Sequence, residues 1–311
     1  MNYDLNHNPR YGEEEALVDG VKVITAKNVS LYTFSGTRTY LIGTNSLAIV
    51  DPGPNFVDHL NAIIRSVGFR KVTHIFLTHT HSDHCDLAIK LALKVGAPIF
   101  LYGKKSDTKL VLLNRISTKI NKTIRNIKQY EKLEIKKVFH GQKIYGEDWL
   151  LEVIYTPGHY FDHICLAWKE KSIIFTGDHV MGWSSTMVSL PTGDMKSYLN
   201  SLELLLIRSE NLFFPGHGKP IKHALTFTKQ QLDHKLKREK QILDLIRICP
   251  NDARSLVHLV YSGLNSNLYS TAENNIYAHL MTLKERGVVV STNPTNISSK
   301  FSYNFDLKNI K

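Results

Sequence analysis

Leu77-Thr78-His79-Thr80-His81-Ser82-Asp83-His84-Cys85 places four metal-ligand side chains, His79, His81, Asp83 and His84, within six residues. The apolar run His74 to Leu77 ahead of it reads as a buried strand. Leu87 to Val95 behind it has helical spacing, so the ligands sit on a strand-to-helix loop. Alternate side chains of an extended segment share a face, which turns His79 and His81 towards one ion. Asp83 and His84 lie past the turn and can face a second. Imidazole and carboxylate donors suit zinc first, with iron or manganese as competitors. A lone histidine here would read as an ordinary structural residue; a six-residue cluster does not. Four side chains cannot close two ions, so further ligands are expected downstream.

Upstream, Gly20 to Thr25, Ser30 to Phe34, Thr39 to Ile42 and Ser46 to Val50 read as short strands, with a hairpin at Gly43 to Ser46. The last strand ends in Asp51-Pro52-Gly53-Pro54. Asp51 is open to two readings, a turn former or a carboxylate that holds a ligand histidine in its tautomer. Val57 to Gly68 has helical spacing, and Ala97 to Leu101 reads as a strand. Strands and helices now alternate, which implies a layered α/β domain.

Downstream, three strands each end on a ligand-type side chain. Trp149 to Tyr155 runs into Thr156-Pro157-Gly158-His159, Ile173 to Gly177 into Asp178, and Leu212 to Phe214 into Pro215-Gly216-His217. Together with the first cluster they supply the missing ligands. His163 is open to two roles, donation to substrate or product and a structural hydrogen bond to backbone. Met195 to Ile207 reads as an amphipathic helix, and Trp183 to Pro191 as a polar-aromatic loop placed to line a substrate cleft.

The chain has 311 residues, 42% of them apolar, enough for one large domain with a smaller one attached. No apolar run reaches eighteen residues and the start Met1 to His7 lacks a signal pattern, so a soluble cytoplasmic protein without membrane contact is expected. Three cysteines, an odd count without a CxxC pair, argue against a disulfide framework and leave the metal site to His and Asp. Cys85 reads as core packing. Of the net charge of +11, most falls between Lys104 and Lys137, where eleven basic side chains stand against three acidic ones. The spacing of Ile116, Ile120, Ile124 and Ile127 there favours a basic amphipathic helix. Such a surface attracts polyanions such as RNA; a compositional bias towards Lys, Asn and Ile would give the same charge, and both readings stand.

Past Lys219 the pattern turns helical. Phe227 to Ile248, Ala253 to Tyr261 and Asn274 to Arg286 read as helices, and Val288 to Thr292 with Lys300 to Phe305 as a hairpin. Three helices and a hairpin are the order of a winged-helix module. The division expected is a catalytic domain at 1–220 and a winged-helix-like domain at 221–311. The third helix carries two Glu against Lys284 and Arg286, which favours docking on the catalytic domain or framing its cleft over reading DNA.

The motif order resembles the metallo-β-lactamase superfamily: HxHxDH at His79 to His84, Asp51 after a strand, Pro-Gly-His159, Thr-Gly-Asp178 and Pro-Gly-His217-Gly, over roughly Val21 to Pro220. The resemblance implies an αββα sandwich with a two-metal site at one edge. It assigns His79, His81 and His159 to the first ion, Asp83, His84 and His217 to the second, and Asp178 as the bridge, with Asp51 behind them. Gly177 to Thr186 and Gly193 to Leu202 look most like the beta-lactamase-like protein 2 branch, which contains single-strand-directed endoribonucleases. The chain is also similar to glyoxalase II-type and carrier-protein thioesterases. The resemblance thus implies a hydrolase with two divalent ions, most simply Zn2+ with Mn2+ or Fe2+ as alternatives, acting through a water acidified between them and oriented by Asp83. The leading substrate is single-stranded RNA; the alternative is a small thioester of glutathione, coenzyme A or a carrier protein. Two positions depart from the usual pattern, Cys85-Asp86 after the last histidine of the motif and Tyr160 after His159.

Overall fold

The computed structural model describes residues 3–116, 132–261, 263–291, 293 and 296–306. Strands β1 (Glu14–Val18), β2 (Val21–Thr25), β3 (Arg38–Ile42) and β4 (Ser46–Val50) pair antiparallel in succession. The chain then crosses over through α1 (Val57–Val67) to β5 (Lys71–Phe76). The short α2 (Ser82–Cys85) and α3 (Ala88–Val95) lead to β6 (Ile99–Tyr102), and α4 (Lys109–Ile116) precedes β7 (Ile135–Val138). From β4 to β7 the pairing is parallel, completing a seven-stranded sheet in sequence order.

The second sheet is built from β8 (Lys143–Tyr145), β9 (Leu150–Tyr155), β10 (Ile164–Trp168) and β11 (Ile173–Gly177). After the crossover helix α5 (Met195–Leu206) it gains β12 (Leu212–Pro215) and β13 (Ile221–Lys222), and its order is β13-β12-β11-β10-β9-β8. Alternation sends the two faces of each sheet to different partners. In β4, Ala48 and Val50 join Tyr40, Phe76, Val153, Phe175 and Phe214 between the sheets, while Leu47 and Ile49 pack outward with Ile63 and Leu91 of α1 and α3. On the far side, Ile174 and Phe213 pack on Tyr198 and Leu202 of α5 and on Leu232 from the next helix. Helix, sheet, sheet, helix is therefore the layer order, and strands buried on both faces explain why all five residues of β3, β4, β10 and β11 are inaccessible.

The C-terminal unit comprises α6 (Ala224–Ile248), α7 (Ala253–Val260), α8 (Tyr269–Glu285) and the hairpin of β14 (Val289–Ser291) and β15 (Phe301–Tyr303). Its own core gathers Ile246, Leu256, Leu280 and Phe301. The expected division at 220/221 falls inside the sandwich, because β13 pairs with β12 and Ala224 and Leu232 belong to the outer core of the second sheet.

Two expected elements differ. Ser30 to Phe34 is a turn closed by a single bridge between its ends, not a strand: the Ser30 hydroxyl accepts from the backbone N–H groups of Tyr32 and Thr33, and Phe34 takes φ 53°. The helix expected over 104–137 is, in its described parts, α4 followed by an edge strand at Ile135–Val138; residues 117–131 lie outside the described residues. No described helix is long and apolar enough to cross a membrane.

Candidate metal centre

Five strands end at the same rim of the sandwich, and each ends on a side chain of the site. Past β5 come His79, His81, Asp83 and His84; past β4, β9, β11 and β12 come Asp51, His159, Asp178 and His217. Ligand atoms of His79, His81, His159 and Asp178 form one group and those of Asp83, His84 and His217 a second, each within 4.8 Å. Nε2 of His79 lies 2.9 Å from Nδ1 of His81, which lies 3.1 Å from Nε2 of His159. In the second group, Nε2 of His217 is 3.3 Å from Nε2 of His84 and 3.2 Å from Oδ2 of Asp83. Asp178 faces both: its Oδ2 is 3.6 Å from His159, and its Oδ1 is 3.4 Å from both His84 and His217.

The donor set fits divalent ions. A neutral imidazole carries one N–H, and in three ligands that proton is already committed away from the centre. His84 Nδ1 donates to Asp51 Oδ2 at 2.8 Å, His159 Nδ1 to the Met187 carbonyl at 2.8 Å, and His217 Nδ1 to the Gly36 carbonyl at 3.2 Å. These bonds leave Nε2 of each ring to face the carboxylates of the centre, His84 and His217 towards Asp83 and Asp178 and His159 towards Asp178, an arrangement that suits a bound cation. Asp178 Oδ1 is likewise buried without a donor.

Electrostatics separates the two groups. Burial, then the neighbouring His84 and His81, pushes His79 well below its ordinary range; burial and His159 push His81 to about 3. These imidazoles are neutral, as ligands must be. For His84 and His217 burial acts downward as well, but the carboxylates of Asp83 and Asp178 outweigh it and hold His217 at about 9. The same attraction overcomes burial at Asp178 and Asp83 and keeps both carboxylates ionised.

Asp51, in the left-handed region at φ 51°, ties the rim together. Its Oδ1 accepts from the Thr78 backbone N–H, and its Oδ2 from the Thr78 hydroxyl and His84. The tight turn at Pro215-Gly216-His217 has its own cause: a Cβ at Gly216 would stand 2.5 Å from Asp178 Oδ1. Of the two roles open for His163, the geometry matches the hydrogen bond to backbone. The imidazole is fully buried, with Nδ1 on the Thr156 hydroxyl and Nε2 accepting from the Asp178 backbone N–H at 3.2 Å, so it sets the backbone of Asp178 and does not reach the cleft. Asp162 escaped the sequence reading. It is buried, is pushed up to about 6 by burial, and accepts from the Thr80 hydroxyl at 2.7 Å, fixing the backbone between His79 and His81. Only its position one residue before His163 could have drawn attention to it. Cys85 Sγ is enclosed beside the Ile116 carbonyl, and burial pushes its thiol well up, so it serves packing.

Asp83, 26% exposed, opens onto a cleft of about 670 Å³ between the sandwich and the C-terminal helices. Tyr32, Met181, Trp183 and Met187 line the sandwich side; Arg238 of α6, Tyr261 and Asn275 of α8 line the other. Tyr160 packs on the rings of His79 and His81, with centroids 5.9 and 4.3 Å away. The described cations of the basic segment lie elsewhere: Lys137 donates to the carbonyls of Lys104, Lys105 and Asp107, and Arg115 pairs with Asp107 at 3.0 Å.

Residues 32–217 match the family model of the metallo-beta-lactamase superfamily, and residues 253–294 that of the beta-lactamase associated winged helix domain. A Drosophila melanogaster protein named beta-lactamase-like protein 2 homolog is 30% identical over 284 residues, 87% of this chain and 90% of that one. An Aspergillus terreus protein named atrochrysone carboxyl ACP thioesterase is 26% identical over 246 residues, 76% of this chain and 67% of its own. The crystal structure of a beta-lactamase domain protein from Burkholderia ambifaria superposes with a TM-score of 0.77 at 18% identity, covering 97% of both chains. Ligand geometry, layer order and these matches agree: the chain belongs to the metallo-beta-lactamase superfamily, a family of hydrolases, and carries its associated winged-helix domain.

Proposed function

We propose that the protein is a dinuclear metal-dependent hydrolase whose substrate is the phosphodiester of single-stranded RNA. The observation that carries the dinuclear reading is Asp178, whose two carboxylate oxygens face the two ligand groups separately. His79, His81 and His159 would hold one ion and Asp83, His84 and His217 the other, with zinc the simplest occupant and manganese or iron alternatives. Once bound, such a pair supplies Lewis acidity, making a water nucleophilic near neutral pH and neutralising charge on the attacked oxygen.

The chain's own groups do the positioning. Asp83 is ionised and reaches the cleft, so it accepts the hydrogen bond that orients the attacking water. Asp51 and the carbonyls of Met187 and Gly36 keep three imidazoles in the tautomer that offers Nε2. Trp183, Tyr32 and Tyr261 give the cleft aromatic walls, which suit unstacked bases of a single strand. Support also comes from the relative that spans both domains, whose branch the sequence resembles, and from the charge of segment 104–137, the candidate route for recruiting RNA.

A thioester hydrolase is the second reading. Leu31, Met181, Met187, Leu264 and Leu268 make much of the cleft apolar, as an acyl chain would require, and one relative is named a thioesterase. Purified protein loaded with zinc or manganese is to be assayed on single-stranded RNA and on a panel of acyl thioesters, with His81→Ala as blank. RNA cleavage lost in the blank is the expected result. Thioester turnover with intact RNA would replace the first reading by the second.

A further inference from the structure

The elements that line the cleft differ in charge. Asp83 and Asp178 come from the sandwich; from the C-terminal helices, α6 brings His234 and Arg238 and α8 brings Thr271 and Asn275. Arg238 is fixed in place. Its Nη1 donates to the Val260 carbonyl at 2.7 Å, and the guanidinium lies 4.0 Å from the centre of the Tyr261 ring. Its Nε is enclosed without an acceptor, and among the described residues it forms no ion pair. The adjacent acid, Glu239, is committed to Arg286 at 2.6 Å.

A partly buried guanidinium stacked on an aromatic ring, with one N–H bonded, Nε enclosed without an acceptor and no counter-charge among the described residues, loses hydration that the described protein does not fully return. The surrounding groups add neutral polar atoms. Burial, then the charges of Lys235 and Arg238, lowers His234 to about 4, and its Nδ1 has no partner. The imidazole is therefore neutral and can still donate, and Asn275, whose amide nitrogen lies 3.4 Å from the Tyr261 hydroxyl and whose Oδ1 accepts from Lys235, lines the same cleft with a second N–H to spare. An anion against these helices would meet one fixed positive charge and neutral donors, with both carboxylates of the lining, Asp83 and Asp178, carried by the sandwich.

We infer that Arg238, flanked by His234 and Asn275, forms a phosphate subsite that binds a phosphate of the substrate other than the group attacked at the metal centre. The inference rests on the proposed reaction for the source of that phosphate, the neighbouring phosphodiester of an RNA strand. A coenzyme A or phosphopantetheine thioester would present the same chemistry.

The test compares metal-loaded wild type, Arg238→Met and Arg238→Lys on paired substrates. A trinucleotide is set against a dinucleoside monophosphate, which has only the scissile phosphate, and an acyl coenzyme A against the acyl N-acetylcysteamine thioester, which has none. For whichever class is turned over, Arg238→Met should lose about 10- to 100-fold in kcat/KM on the phosphate-bearing member, through KM. The short member, and kcat, should change less than about twofold, and Arg238→Lys should recover part of the loss. Retained turnover of the short member shows that the variant folds. An equal loss on both members, or none on either, overturns the inference. Arg238 dependence seen only with coenzyme A keeps the subsite and removes the RNA reading. Where neither class is turned over, the proposed reaction falls and calorimetric binding of the trinucleotide and of desulfo-coenzyme A decides: at least about tenfold tighter binding by wild type than by Arg238→Met upholds the subsite, and equal or absent binding overturns it.

Discussion

Lys235 of α6 donates to the carbonyl of Thr186 at 2.7 Å, and through that one residue the C-terminal unit grips the metal centre. The Thr186 hydroxyl donates to the carbonyl of Asp178 at 3.0 Å, and the next carbonyl, that of Met187, takes the Nδ1 proton of His159. Two ligands from different strands therefore hang on a strut that a buried lysine amine pins from outside the sandwich. Lys235→Met leaves the Thr186 carbonyl without its donor. Turnover should fall about tenfold, the scale of one buried hydrogen bond whose acceptor is left unpaired, with a matching loss of retained metal after dialysis.

The same lysine sets a pH dependence of stability. Burial, then Arg238, depresses it to about 7 from an ordinary 10.5. Between these values the unfolded chain binds a proton that the folded one does not, so this group makes the fold more stable as pH rises from about 7 towards 10, by at most about 1.4 kcal/mol per pH unit. Denaturant titrations across that range should show the rise in wild type and a flatter profile in Lys235→Met. Equal profiles would mean that Lys235 stays charged at neutral pH.

Asp178→Ala removes the group that faces both ligand sets. Metal content measured by mass spectrometry should fall from two ions to one or none per chain, with turnover lost by about three orders of magnitude or more. Two retained ions would show that the bridge is not needed to hold them.

Asp51→Asn keeps the shape but offers a neutral oxygen and an amide where His84 and Thr78 now meet a carboxylate. Metal affinity in competition with a chromophoric chelator should drop by about 10- to 100-fold, the usual cost of losing an outer carboxylate. An unchanged affinity would confine Asp51 to its turn.

Replacing Lys122, Arg125 and Lys128 by Gln tests the basic segment. Binding to single-stranded RNA should weaken, and the slope of log K against log salt should flatten by about 0.7 for each phosphate that is no longer neutralised. Turnover of a small thioester should not respond.

The local patterns were legible because they answer to local physics. HxHxDH between a strand and a helix, and Pro-Gly-His or Gly-Asp at the ends of three further strands, carry their chemistry in residue type and spacing. Runs apolar on both faces, such as Ser46 to Val50, state that helices cover one side and a second sheet the other. Local competition misled in two places: a serine hydroxyl turned Ser30 to Phe34 into a turn, and sheet-edge pairing took Ile135–Val138 from an expected helix.

By itself, then, the sequence determined that this is a layered α/β chain with a histidine-aspartate metal site and a helical C-terminal module. Only the tertiary structure decided which oxygen of Asp178 faces which ligands, that His163 and Asp162 work behind the site, and that α6 sends Lys235 to the Thr186 carbonyl and Arg238 into the cleft. The reason is physical. Spacing along a chain encodes which side chains share a face, whereas contacts between residues 49 positions apart, as for Lys235 and Thr186, depend on how complete layers pack.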